Sequence, residues 1–147
     1  MTETPVVNES WSWPDALDAC IAAQQSHRVL YENEIVRVLE VTIEPGVREP
    51  LHTQRASSVV IVDGPAHIHY YTGDTLTFET PLDAPAERRT SWLGPEPPHS
   101  VENIDVHPYH AYRIELRGKE VSPSPPVEPC RVVTASKGRL APSDCVA

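Results

Sequence analysis

The stretch EPGVREPLHTQRASSVVIVDG sets His52 and Gln54 one residue apart, just after a Pro45-Gly46 turn. A neutral imidazole is a good donor to Zn, Fe or Ni, whereas an amide carbonyl, which also suits Mn, is weak and uncharged. A second histidine in the same pocket would complete a divalent-metal site with positions left open for a substrate, and His99 in PPHSVENIDV is the candidate. The expected metal ligands are therefore His52, Gln54 and His99. With an ion present, His99 or a bound water moves a proton. Without one, a histidine base faces a tyrosine acid, for which Tyr70 and Tyr112 are the candidates. A hydrogen-bonded pocket holding no ion is the open alternative.

Strands must carry these groups. From Arg28 onward the chain is rich in Val, Ile and Leu, and it is punctuated at Asn33, Pro45-Gly46, Asp63-Gly64 and Gly73-Asp74. That pattern predicts about eight short antiparallel strands in a sandwich or barrel. Alternation then assigns faces. With His52 inward, Gln54, Ser58, Val60 and Val62 follow it, while Val59 and Ile61 point out. If the Asp63-Gly64 turn makes a hairpin, Ile68 and Tyr70 point inward, Tyr70 lies across from about Ser58, and His67 and His69 lie outside. On the last strand, Ile114 and Leu116 argue for an inward face that also holds His110 and Tyr112, which turns Arg113 outward. The predicted turn near Asp105 to His107 sets His110 far from His99 and leaves Tyr112 nearer. Asn103 is expected to fix that turn through the backbone, and Trp92 either to wall the pocket or to be buried in the core.

The flanks differ. Residues 12–25 suggest a short helix with Ser12 as cap, Pro14 in its first turn, and Leu17, Cys20 and Ile21 on one face. After Gly118, VSPSPPVEPC is too proline-dense for a sheet interior and reads as a tail.

At 147 residues the chain suits one domain. A net charge of -9 repels phosphate backbones and excludes nucleic acid as the expected partner. No apolar run reaches membrane-spanning length and the start lacks the regions of a signal peptide, so a soluble, cytoplasmic protein with no membrane partner is expected. Cys20, Cys130 and Cys145 have no ligand spacing and are given no chemistry. Apolar Val59 and Ile61 on an outer face predict a homodimer.

Between about Val36 and Leu116 the chain resembles the cupin superfamily. Gly46, His52 and, slightly early, Gly64 fit its first motif; His99 and Asn103 fit the end of its second. Gln54 stands where the motif has a second histidine, and Ser58 or Val59 where it has a glutamate. The resemblance implies an all-β, cupin-type jelly-roll β-barrel over residues 28–117, after an N-terminal arm and short helix (1–27) and before the Pro-rich tail (118–147). It also implies a metal at the barrel mouth. The expected function is a small single-domain cupin acting as a metal-assisted enzyme on a small organic molecule, by isomerisation, cyclisation or elimination. The alternatives are a metal-free binding or sensing module without turnover, and a non-haem metal dioxygenase.

Overall fold

A computed structural model of the chain describes residues 11–118. The Val- and Ile-rich runs become nine strands: β1 (His27–Glu32), β2 (Val36–Ile43), β3 (His52–Gln54), β4 (Ser58–Asp63), β5 (Ile68–Thr72), β6 (Thr75–Glu79), β7 (Arg89–Leu93), β8 (Glu96–Asn103) and β9 (Tyr109–Leu116). All ladders between them are antiparallel, in one sheet of order β1-β2-β9-β4-β7 and another of order β3-β8-β5-β6. Inward Val41, Ile43, Val60 and Ala111 form the core, with Leu93, Val101 and Tyr109 packed on it. Among the described residues no helix is long and apolar enough to cross a membrane.

Two glycine turns that look alike in sequence do different work. Gly73 (φ 58°) closes a tight hairpin in which Thr72 faces Thr75. Gly64 (φ 69°) does not, because Pro65 follows it and has no N–H with which to continue a ladder. Residues 65–67 instead carry the chain from one sheet to the other. Tyr70 therefore faces Val101 and Phe78, not Ser58 as the hairpin reading expects. The β8–β9 connection also changes sheet. Asn103 fixes it as expected, donating to the carbonyls of Ile43 (2.8 Å) and His107 (2.9 Å) and accepting from the Asp105 amide (2.9 Å).

The face assigned to β9 is reversed. Ala111, Arg113 and Glu115 are buried, whereas Leu116 is exposed. The apolar residues belong to the outer face, where Ile114 lies in register between Val38 and Val59. Inside, the charges are compensated: Arg37 donates from Nε to Glu115 (2.5 Å) and clasps Asp18 through both terminal nitrogens (3.1 and 2.9 Å).

The helical segment also departs from its expected form. A 3-10 turn, Asp15–Leu17, precedes a single turn of helix α1 (Ala19–Ala22), and Asp18 rather than Ser12 is the cap, accepting from the Cys20 amide (3.0 Å). Ala19 and Ala23 are the buried positions and Ile21 is exposed. The turn lies against β1 and β3.

Candidate functional site

His52 on β3 and His99 on β8 face each other across a ladder, with ring centroids 4.4 Å apart. Each ring is pinned by a carbonyl two residues earlier. His52 Nδ1 donates to Pro50 O (2.9 Å) and His99 Nδ1 to Pro97 O (2.7 Å). A carbonyl can only accept, so the proton sits on Nδ1 and each Nε2 keeps its lone pair, the arrangement a metal-binding histidine needs. Burial lowers the pKa of both rings, against the opposing pull of Glu49 on His52 and of Glu96 on His99. They are neutral donors.

Two further groups join them. His27, at the start of β1, donates from Nδ1 to Ala23 O (3.1 Å), and its Nε2 lies 3.2 Å from Gln54 Nε2, from which it accepts. Burial, reinforced by His52, pushes its pKa down to about 3. Glu49 is 5% exposed; Oε1 accepts from Ser26 Oγ (2.5 Å) and lies 3.4 Å from His27 Nδ1, while Oε2 lies 3.8 Å from His52 Nε2. One ligand atom from each of His27, Glu49 and His52 falls within 4.8 Å of the others. Among the described residues no arginine or lysine pairs with Glu49. Burial pushes its carboxyl above the usual range.

A second polar chain lines the same cavity, which has a volume of about 110 Å³. Tyr70 stacks on His99 (centroids 5.0 Å, planes 9° apart) and donates to Glu96 (2.9 Å), whose other oxygen accepts from Arg113 (2.5 Å). Burial would raise the Glu96 pKa, but Arg113 and His99 outweigh it and hold the carboxylate ionised. Burial and the neighbouring Glu96 charge push the Tyr70 hydroxyl up, so Tyr70 holds its proton.

The sequence-derived candidates therefore separate. His52, His99, Gln54 and Tyr70 line one cavity. Tyr112 is not among its lining residues; it sits edge-on to His110 (5.0 Å) beyond the reversed face of β9. Gln54 is fully buried, with Oε1 unpartnered, and its amide is engaged by His27. His67 and His69 lie outside the cavity as expected, the first on Asp105 and the second between Glu79 and Glu102. Trp92 is 57% exposed and walls nothing. Arg113, expected outside, lies within. Sequence reasoning missed His27, Glu49 and Glu96. His27 sits where helix gives way to strand, and Pro50 breaks the alternation that would link Glu49 to His52.

No family model and no curated protein matches the chain. Among solved structures it is similar to a cupin domain from Bordetella pertussis Tohama I, at 19% identity and a TM-score of 0.53, over 63% of this chain and 92% of that one. It is also similar to an RmlC-like cupin family protein with a double-stranded β-helix fold from Methanocaldococcus jannaschii, at 12% identity and a TM-score of 0.49, over 62% and 78% of the two chains. The two antiparallel sheets, with His52 and His99 facing each other between strands, form a cupin-type jelly roll.

Proposed function

We propose that the barrel is a metal-assisted site for proton transfer on a small organic molecule, with Glu49 and His52 as ligands of a divalent ion and His27 as the third once Gln54 releases its Nε2. The observation that carries this reading is Glu49, a buried carboxylate with no cationic side chain paired to it among the described residues and two imidazoles beside it. Burying an unpaired charge costs several kcal/mol, and a divalent ion between these donors removes that cost. Two imidazoles and one carboxylate are a common ligand set for Zn and for Fe(II). The bound ion would supply Lewis acidity toward a substrate oxygen.

The chain's own residues do the rest. His99 lies beside the three ligands with its Nε2 lone pair free of hydrogen bonds to the described residues, and it takes the proton from the substrate. Tyr70 keeps the His99 ring parallel to its own and stays protonated on Glu96. Ser26 fixes one oxygen of Glu49 and leaves the other toward His52.

Elemental analysis of protein purified without a histidine tag tests this. The expected result is stoichiometric divalent metal that is lost in Glu49→Gln and His52→Ala and kept in His99→Ala. Absence of metal from every preparation overturns it. Loss in His99→Ala moves that residue from base to ligand.

One observation favours a second reading. Burial already pushes the Glu49 carboxyl toward its neutral form, so the pocket can stand without an ion and bind a small molecule without turnover. The metal content separates the two, and iron as the native ion would favour the dioxygenase.

A further inference from the structure

Resting on the metal-assisted reading, the charges around the cavity go further and assign the class of ligand. Three charged side chains line it: Glu49, Glu96 and Arg113. Glu96 and Arg113 are bonded to each other at 2.5 Å and cancel. Glu49 remains. Histidine ligands must be neutral and a carboxylate ligand ionised, so the pocket carries at most one negative charge when empty and about one positive charge with a divalent ion in place. The far wall, Val41, Ile43, Val60, Leu93 and Val101, offers no counter-charge. A buried net positive charge in apolar surroundings is costly until an anion joins it.

Size narrows the choice. A cavity of ~150 Å³ holds benzene, so one of about 110 Å³ holds a molecule of roughly four or five non-hydrogen atoms. We infer that the ligand is a small monoanion, a short-chain carboxylate or its enolate, with its charged end among the histidines and its apolar end against Ile43 and Val60. A neutral amide of the same shape leaves the positive charge unbalanced, and a dianion overshoots it.

The test is a calorimetric titration of the zinc-loaded full chain with propionate, propionamide and oxalate. Propionate and propionamide have the same shape and differ in charge. Propionate is expected to bind at least tenfold tighter than propionamide, and this preference is expected to vanish in the chelator-treated protein. Zinc that is lost on dialysis overturns the metal-assisted reading and this inference with it. Zinc that is retained while propionamide binds as tightly as propionate overturns this inference alone. Glu96→Gln, which raises the pocket by one further positive charge and leaves the three ligands in place, is expected to shift the preference toward oxalate. A folded, zinc-loaded variant with the wild-type order of affinities counts against the charge argument. If the variant does not fold, the wild-type series alone decides.

Discussion

Two clusters of buried polar side chains lie inside the same five-stranded sheet and are built on opposite terms. On β9, Glu115 is four residues from Ala111, ~13 Å along the strand. At the Glu115 level, Arg37 joins β2 to β9 and reaches Asp18 ahead of α1, so each carboxylate has a cation. At the Ala111 level, which His27 shares through Val41, Glu49 sits among neutral rings with none among the described residues. The first cluster is a clasp that locks the helical turn to the sheet. The second is left incomplete by the chain, and that incompleteness is what makes it the proposed site.

Breaking the clasp should have the largest effect. Arg37→Met leaves Glu115, 1% exposed, without its cation, and a loss of about 3–5 kcal/mol is expected, read by urea unfolding. A loss below ~1 kcal/mol would show that solvent already reaches the pair.

Acid sharpens the contrast. His27 has a folded pKa of about 3 against an ordinary 6.5. Between these values the unfolded chain binds a proton that the folded chain refuses, so stability falls as pH falls through that window. The full loss is on the order of 5 kcal/mol. Glu49 acts in the opposite sense, because a carboxyl raised by burial favours the folded state as pH falls. Asp18 is held below its ordinary 3.8; burial works against this, and Arg37 outweighs it. Its contribution survives until pH drops below that value. Chelator-treated protein should therefore lose stability from pH 6.5 downward, ahead of the clasp. A flat profile between pH 7 and 5 that stays flat in Glu49→Gln, where no carboxyl offsets the imidazole, would mean that His27 is hydrated.

Glu49→Gln is the counterpart of the clasp mutation and should have the opposite sign. Removing an unpaired buried charge is expected to leave metal-free protein unchanged or more stable by ~1–2 kcal/mol, while zinc affinity falls by on the order of a hundredfold or more. Thermal melts with and without zinc measure both. Destabilisation of the metal-free form would mean that Glu49 is structural like Glu115.

The same contrast explains what could be read from sequence. Val60 and Tyr70 lie inward and His67 and His69 outward as expected, although the parity behind them runs through residues 55–57 and 65–67, where the chain changes sheet and the steric rule of a single strand does not reach. Alternation carries no information across a connection that changes sheet, so the partner of Tyr70 was missed. On β9 the inward face was chosen by counting apolar residues at 114 and 116. That rule fails where the interior holds compensated charges, and it sent Arg113 to the wrong side. His52 and His99 are legible because the Gly46-to-His52 and His99-to-Asn103 spacings survive in the chain, although the proline and glycines ahead of His99 are out of register. Glu49 was not, because its burial follows from a loop that Pro50 takes out of strand geometry.

The smallest effect concerns Gln54, where the motif has a histidine. Its amide holds the His27 ring at 3.2 Å, and its Oε1 is buried without a partner beside the proposed ligands. Replacing it with an imidazole adds a nitrogen donor at that edge and removes the prop from His27. The gain should exceed the loss, since His27 Nδ1 is still held by Ala23 O. Gln54→His is therefore expected to tighten zinc binding by about tenfold, measured by competition with a chromophoric chelator. An unchanged or weaker affinity would assign Gln54 wholly to orienting His27, and would place the ion on the Glu49 side of the cavity, away from β3's second residue pair.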